Sequence, residues 1–322
     1  MMHCPNLKDL PAPPRGKAGW PWTEESPQLP DILPDGKPWP KISIVTPNYD
    51  YAQFIEETIR SVLLQGYPDL EYIIIDDGST DNSIEIIKKY SKWLVHWEKQ
   101  ENRGQGYAIN KGFKVASADL FAWINSDDIY EKSALSKIAP EFSVYPEADI
   151  ISGRCRLWAG KQNDSIIGPS PLRSYEDFLC IGSNWIKGKS IVQPEAFFRR
   201  RAYELAGGVP EDLHCVLDVA LWMCMARRGC RFHSFNEHLA NLRLHEKQKG
   251  ADSYVVFAEL CRVAWHNLRR DWNLFGEKAP LIADDIFYAL EQLHTDCLIN
   301  YNKIKQSTSY RIGRYITKLR YW

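Results

Sequence analysis

Residues 41–76, KISIVTPNYDYAQFIEETIRSVLLQGYPDLEYIIID, decide the fold. Two β-branched apolar runs, at 42–46 and 72–76, have the composition of buried strands. Between them, apolar side chains recur at helical spacing over 53–64. A strand, a helix and a second strand in this order predict two parallel strands joined by a crossover helix.

The same alternation continues for about fifty more residues. The pattern predicts a helix at 83–90, a strand at 94–98, a helix at 104–116 and a strand at 120–124. The predicted fold class is therefore α/β, with a mostly parallel central sheet flanked by helices. After about residue 140 short strands mix with helical runs, and from about Tyr254 the chain is predicted to be helical.

Both ends of the chain differ from this central part. Residues 1–40 contain ten prolines, which exclude regular helix and central strand and predict an extended arm. Three tryptophans would be costly to leave in water, which favours an arm lying on the protein over a partly ordered tail. These are Trp20, Trp22 and Trp39.

The segment from Tyr301 to the last residue has lysines and arginines but no acid. Its apolar residues recur at helical spacing, as in a basic amphipathic helix. Such a helix can lie on an anionic membrane surface, or it can pack on the domain with a solvated basic face. Residues 251–322 are thus predicted to form a helical C-terminal extension.

The composition excludes several classes of protein. The chain has 322 residues and a net charge of −1, which argues against a surface devoted to nucleic acid. No apolar run approaches the roughly 20 residues that cross a bilayer, and the N-terminus lacks the apolar core of a signal peptide. Eight cysteines without a C-x-x-C pair make a zinc site unfavourable. We expect a cytoplasmic protein.

Polar residues follow three of the predicted strands. Residues 47–50 read PNYD, residues 76–81 read DDGSTD and residues 125–128 read NSDD. Each group alone is ordinary turn chemistry. Ligands bind beyond the carboxyl ends of parallel strands, so three such groups at one edge predict a site.

The adjacent acids Asp127 and Asp128 set the chemistry of that site. Two neighbouring carboxylates repel each other, and no Lys or Arg lies next to them in the sequence. A hard cation, Mn²⁺ or Mg²⁺, would offset this repulsion and would also hold a diphosphate.

These motifs resemble the family-2 glycosyltransferases of GT-A fold. The resemblance rests on ISIVTPNYD, IIIDDGSTDNS, NRGQGYAINKG and WINSDD, and later on VQPEAFFRRRAYELAGG, LDVALW and HLANLRLH. It runs from about residue 41 to 245, and it implies a GT-A domain at 41–250. It further implies transfer of a sugar, with inversion, from a nucleoside diphosphate sugar.

The resemblance also implies which residues bind the donor. Tyr49 would stack on the nucleotide base, with Thr46 and Pro47 shaping the floor. Asp77 would hydrogen-bond the base, for which uracil is the best fit. Arg103 would reach the phosphate or the sugar.

Further roles follow from the same resemblance. Asp127 and Asp128 would bind the ribose and the metal diphosphate, with Asp128 the more direct metal ligand. His245 would approach the metal or diphosphate, although a lone histidine is more often structural. Asn110 would brace the site from within its helix.

The catalytic base is implied to be Asp218, in LDVALW. Transfer with inversion is a single displacement, and a positioned carboxylate takes the proton of the acceptor hydroxyl. The alternative is an acid that interacts with a helix dipole. Three residues are candidates for the acceptor side: Trp185, Gln193 and Glu195.

The chain departs from the family at two positions and leaves two rival functions open. Asp50 stands where many members have Asn, and residues 248–250 read QKG instead of Ser-Lys-Thr. The Q-x-x-R-W motif of processive synthases is absent, which favours addition of one sugar to a glycan or lipid-linked acceptor. A nucleotidyltransferase would need a glycine-rich basic loop at 47–53, and a non-catalytic binding protein would not need Asp218.

Overall fold

A computed structural model of the chain describes residues 4–33, 35–158 and 164–306, with side chains as far as residue 295. Its described part contains one nine-stranded sheet with helices on both faces. The strands are β1 Ile42–Asn48, β2 Leu70–Asp76, β3 His96–Lys99, β4 Leu120–Trp123, β5 Ile129–Tyr130, β6 Ile150–Trp158, β7 Ser165–Ile167, β8 Ala196–Arg199 and β9 Phe232–Arg243. The helices are α1 Ile55–Leu63, α2 Ser83–Tyr90, α3 Gln105–Val115, α4 Ala134–Val144, α5 Tyr175–Leu179, α6 Arg200–Ala206, α7 Leu217–Arg227, α8 Ser253–Arg270, α9 Trp272–Phe275 and α10 Ala279–Gln306.

The strands lie in the order β3-β2-β1-β4-β8-β6-β9-β5, with β7 on β6. The first four are parallel, and α1, α2 and α3 connect them in turn. The second half is mixed, because β8 is antiparallel to both β4 and β6 whereas β9 is parallel to β6. The predicted α/β fold class with a sheet flanked by helices is confirmed.

The two faces of the sheet cover two apolar cores. In β1, Ile42 and Ile44 face the core formed with α1, α2 and α4, whereas Val45 faces the core formed with α3 and α5–α8. This alternation is the period-two geometry of a strand. Every residue of β1 and β2 is buried, which explains why both read as continuous apolar runs.

Register brings the predicted polar turns to one edge of the sheet. Asn48 and Asp76 are partners at the ends of β1 and β2, and the amide of Asp77 donates to the carbonyl of Asn48 over 2.8 Å. Val45 of β1 is the partner of Trp123, the last residue of β4. The carboxyl ends of the three strands therefore meet.

A two-residue strand that sequence patterns do not predict brings a distant segment to this edge. β5 begins at Ile129, directly after the paired acids, and pairs antiparallel with β9. β9 is long enough to pair with both β6 and β5. Its last residue, Arg243, thereby arrives beside Asp127 and Asp128.

The proline-rich arm lies on the body of the protein, anchored by Arg60 of α1. The Arg60 side chain is fully buried and donates to the carbonyls of Pro11, Pro21 and Trp22. The indole of Trp22 is buried and donates to Glu57 over 3.2 Å. Buried groups that all hold hydrogen bonds fix the arm in one path.

The C-terminal helices pack on the same body. Asp285 of α10 accepts from the amides of Gly182 and Ser183, over 2.7 and 3.2 Å, in the turn Ile181–Trp185. In the part of the chain that the structure describes, no helix combines the length and apolar character that would let it cross a bilayer. The predicted basic amphipathic segment lies outside the residues whose side chains are described.

Candidate active site

A cleft of about 720 Å³ opens at the carboxyl ends of β1, β2 and β4. It is lined by residues from seven separate segments of the chain. Among the predicted site residues, those that line it are Pro47, Tyr49, Asp77, Asp127, Asp128, Gln193 and Asp218. The sheet thus gathers residues separated by up to about 170 positions in the sequence.

The loop after β1 presents an aromatic ring to this cleft. Tyr49 is 46% exposed, and its neighbour Asp50 has a left-handed backbone with φ of 54°. The Asp50 carboxylate accepts from the amides of Thr80 and Asp81, over 2.6 and 3.2 Å, and so ties this loop to the turn after β2. The loop is therefore held in place, and the exposed ring of Tyr49 is available for stacking. Thr46 lies beneath, fully buried, with its hydroxyl 3.0 Å from that of Tyr72.

Asp77 organises the loop that leads into α3. Its carboxylate accepts from the amides of Arg103 and Gly104, over 3.0 and 2.8 Å, and from the side chain of Gln100 over 2.7 Å. Asp77 therefore lines the cleft and also fixes the loop at residues 103–104. The guanidinium of Arg103 instead lies 3.8 Å from the ring centre of Tyr107, and Arg103 is not among the residues lining the cleft.

The two adjacent acids after β4 have different surroundings. Asp128 is buried and accepts from the amide of Arg243 over 2.9 Å and from the side chain of Asn125 over 3.4 Å. Burial, and then the charge of Asp127, raise the pKa of the Asp128 carboxyl well above its usual range. Asp127 lies 3.0 Å from Nε2 of His245. The pair therefore carries repulsion that a bound cation would relieve.

Arg243 lines the cleft beside the paired acids, and sequence reasoning missed it. Its Nε donates to the main-chain carbonyl of Asp127 over 2.9 Å, and its Nη2 pairs with Glu57 over 2.9 Å. The guanidinium lies over the rings of Phe54 and Trp158, at 4.8 and 4.2 Å from their centres. The only signal was a cation two residues before His245 in HLANLRLH.

His245 lies beside Asp127 but is not among the residues that line the cleft. Its ring packs between Tyr51 and Phe54, at 5.7 and 4.7 Å, and its Nδ1 is buried without a hydrogen-bond partner among the described residues. No cluster of three His, Cys, Asp or Glu side chains able to hold a metal occurs in the described ranges. Two carboxylates still fit a cation whose remaining ligands are phosphate oxygens, as is usual for Mg²⁺.

Asp218 lies in the first turn of α7, and this turn borders the cleft. Burial raises the pKa of its carboxyl to about 6. A carboxylate with this pKa is ionised at neutral pH and is more basic than an ordinary aspartate.

The acceptor-side candidates are split by the structure. Gln193 lines the cleft, and its Nε2 donates to the carbonyl of Trp123. Glu195 is fully buried behind it, where burial raises the pKa of its carboxyl well above the usual range. Trp185 is half-buried against the helical core, and neither it nor Glu195 is among the lining residues.

Asn110 of α3 braces the region beside the cleft. Its side-chain amide donates to the carbonyl of Val209 and to Glu211, both over 2.8 Å. Its oxygen accepts from the amide of Val209 and the hydroxyl of Tyr203. Asn110 therefore fixes the loop that leads from α6 toward α7.

Solved structures show the same fold. The chain superposes on Staphylococcus aureus TarS 1-349 in complex with UDP-GlcNAc with a TM-score of 0.55 and 16% identity, covering 79% of this chain and 80% of that one. It superposes on the mannosyltransferase PcManGT from Pyrobaculum calidifontis, in complex with GDP-Man and Mn²⁺, with a TM-score of 0.56 and 16% identity, covering 86% and 84%. These likenesses show the GT-A fold.

Curated relatives extend the comparison to sequence. An uncharacterized glycosyltransferase of Nostoc sp. is 38% identical over 229 residues, covering 68% of each chain. The putative teichuronic acid biosynthesis glycosyltransferase TuaG of Bacillus subtilis is 30% identical over 248 residues, covering 72% of this chain and 92% of TuaG. The family model described as glycosyl transferase family 2 matches residues 43–204. The chain belongs to glycosyl transferase family 2.

Proposed function

We propose that this protein is a metal-assisted, inverting glycosyltransferase that moves one sugar from a nucleoside diphosphate sugar to a glycan or lipid-linked acceptor. One observation carries the proposal. The paired acids Asp127 and Asp128 and the acid Asp218, whose pKa is raised to about 6, line one cleft. The paired acids can hold a cation that binds the charged leaving group, while Asp218 takes a proton.

The donor nucleotide is assigned to the Tyr49 side of the cleft. The exposed ring of Tyr49 stacks on the base, above the floor formed by Pro47 and the buried Thr46. Asp77 accepts from the edge of the base, for which the N–H of uracil is suitable. UDP is therefore the preferred nucleotide, and Asp127 binds its ribose.

The diphosphate is assigned to the acids after β4. Asp128 and Asp127 would hold Mn²⁺ or Mg²⁺, with His245 beside them. The cation supplies positive charge that makes the diphosphate a better leaving group. Arg243 keeps both acids in place through the Asp127 carbonyl and the Asp128 carboxylate. Arg103 serves the phosphate or sugar only if it leaves its stack on Tyr107.

Asp218 is assigned as the base. Its carboxylate takes the proton of the acceptor hydroxyl while the oxygen attacks the anomeric carbon. The bond to the diphosphate breaks on the opposite face, so a single displacement inverts the configuration. No covalent intermediate on the protein is required.

The acceptor is assigned to the side of the cleft near Gln193, with Trp185 and Glu195 behind it. The relative TuaG, a putative teichuronic acid biosynthesis glycosyltransferase, supports a glycan acceptor. A cytoplasmic protein whose basic C-terminal segment touches the inner face of the membrane would reach a lipid-linked acceptor.

Donor binding and turnover test the proposal together. A panel of sugar nucleotides is screened by thermal shift with Mn²⁺ or with EDTA, because a ligand that binds the folded state raises its apparent stability. The bound donor is then followed for UDP release, and the anomeric configuration of the product is read by NMR. We expect a Mn²⁺-dependent shift, UDP release and an inverted product.

Two outcomes would overturn the assignment. Pyrophosphate release from a nucleoside triphosphate and a sugar phosphate would identify a nucleotidyltransferase. Donor binding with no release of UDP in the presence of any acceptor glycan would identify a binding protein.

A further inference from the structure

Three successive backbone amides before α7 point at one carboxylate. Glu259 of α8 accepts from His214 over 3.0 Å, from Cys215 over 2.6 Å and from Val216 over 3.1 Å. Consecutive amides that converge in this way form an anion-binding concavity. Here a side chain of the same protein, brought from 43 to 45 positions away, fills it.

The Glu259 side chain carries its negative charge within the fold. It is 13% exposed. Burial acts to raise the pKa of its carboxyl, but hydrogen bonds from the three amides, together with the charge of Arg262 3.6 Å away, outweigh burial and hold the pKa below its ordinary value. The carboxylate is therefore ionised at neutral pH, and it lies at the N-terminal end of α7, where the helix dipole favours an anion.

These hydrogen bonds act on the segment that presents Asp218. Val216 directly precedes α7, and Asp218 is the second residue of that helix. Two helical residues span only about 3 Å along the axis, so a shift of the Val216 amide is carried to the Asp218 carboxylate. A displacement of about 1 Å at a reacting group is able to lower a rate about 100-fold.

We propose that Glu259 is a positioning residue for Asp218, so that α8 of the C-terminal extension completes the active site. This inference rests on the proposed function of Asp218 as the base. Glu259 lies beyond residues 43–204, which match the family model, and neither composition nor a motif pointed to it.

A second carboxylate at the other end of the same helix pair supplies a matched control. Asp271, at the C-terminal end of α8, pairs with Nε and Nη2 of Arg227 in the last turn of α7, over 2.7 and 2.9 Å. Asp271 is not among the residues lining the cleft. Both acids hold α8 to α7, but only Glu259 holds the end that carries Asp218.

The experiment compares Glu259→Gln with Asp271→Asn in the full chain. The single side-chain oxygen of glutamine accepts from at most two of the three amides, and its NH₂ group faces an amide donor. The probes are UDP with Mn²⁺ for calorimetric binding, and the UDP-sugar that the wild-type protein turns over fastest for kinetics. Hydrogen exchange of residues 212–222 reports the loop directly.

We expect Glu259→Gln to lower kcat by about 10- to 100-fold while KM for the donor and the Kd for UDP change less than about 2-fold. Exchange of the amides at 214–216 should accelerate. Asp271→Asn should lower Tm at least as much, yet keep kcat within about 3-fold of wild type.

Unchanged kcat in Glu259→Gln, or a kcat loss of the same size in both variants, would overturn the positioning role while leaving the proposed function intact. A wild-type protein that releases no UDP from any donor would overturn both.

Discussion

The backbone amide of Arg243 donates to Oδ1 of Asp128 over 2.9 Å, although the two residues are 115 positions apart. The side chain of Arg243 donates through Nε to the main-chain carbonyl of Asp127 and forms an ion pair with Glu57, which also accepts from the indole of Trp22. The N-terminal arm, α1 and the segment that carries the paired acids are thereby joined through one guanidinium.

Replacement of Arg243 by methionine should destabilise the protein strongly. The side chains of Arg243 and Glu57 are only 15% and 10% exposed, and removal of one partner leaves a nearly buried charge unpaired. Such losses cost about 3 kcal/mol or more. Urea unfolding at pH 7 measures the free energy of unfolding.

A second ion pair provides the control for this prediction. Lys88 pairs with Glu85 over 2.7 Å, and the two side chains are 53% and 62% exposed. The variant Lys88→Met should therefore lose less than about 1 kcal/mol. Equal losses in the two variants would show that the Arg243–Glu57 pair does not stabilise the fold.

Local sequence patterns were sufficient for the strands and helices that carry the donor side. The helix predicted at 83–90 has those bounds, and the helix predicted from Gln53 begins two residues later, at Ile55. Periodicity works here because each element buries one continuous face. The end of β4 could likewise be read from the change from LFAWI to NSDD.

Arg243 and Glu259 could not be found in this way. Their contacts to Asp128 and Cys215 join residues 115 and 44 positions apart, and neither lies in a local pattern. β5, with two residues, is too short for an alternation to be visible, yet it brings Arg243 to the site. Only the three-dimensional structure shows that Arg243 of β9 lies against Asp128 and that Glu259 of α8 holds the segment before Asp218.

Removal of the Asp128 carboxylate should abolish metal-dependent donor binding. We expect the affinity of Asp128→Ala for UDP in Mn²⁺ to fall to the level that wild type shows in EDTA, because the cation loses its most direct ligand. Calorimetric titration with UDP, with and without Mn²⁺, measures this difference. Asp271→Ala, changed away from the cleft, should keep the Mn²⁺ effect. Unchanged UDP affinity of Asp128→Ala with Mn²⁺ would refute the metal site.

The variant Asp218→Asn should lose sugar-transfer activity but still bind the donor and the metal. An amide cannot take the acceptor proton, and loss of a general base lowers kcat by about 100- to 10,000-fold. The UDP affinity should stay within about 2-fold of wild type, since donor contacts come from the other side of the cleft. Asp212→Asn, an exposed acid in the preceding loop, is the control and should keep its kcat. Wild-type turnover by Asp218→Asn would exclude it as the base.

The pH dependence of turnover follows from the raised pKa of Asp218, about 6. Only the carboxylate form takes a proton, so kcat should be low below pH 6 and should rise as the pH passes through about 6. The measurement uses saturating donor and Mn²⁺ at every pH, with metal affinity determined separately, so that protonation of Asp128 does not mimic the effect. A kcat that is flat between pH 5 and 8 would contradict this prediction.

Asp218→Asn should also make the protein more stable at neutral pH. The folded state raises the pKa of this carboxyl from 3.8 to about 6, so the ionised form is disfavoured by folding. The resulting penalty is absent below pH 3.8, where both states are protonated, grows between about pH 4 and 6, and is constant above. A shift of this size corresponds to a gain on the order of 1–3 kcal/mol for the asparagine variant at pH 7. Thermal unfolding should show Asp218→Asn more stable than wild type at pH 7 but not at pH 4. If the variant and wild type were equally stable at both pH values, burial would not disfavour the carboxylate. The raised pKa assigned to Asp218 would then have no physical cause.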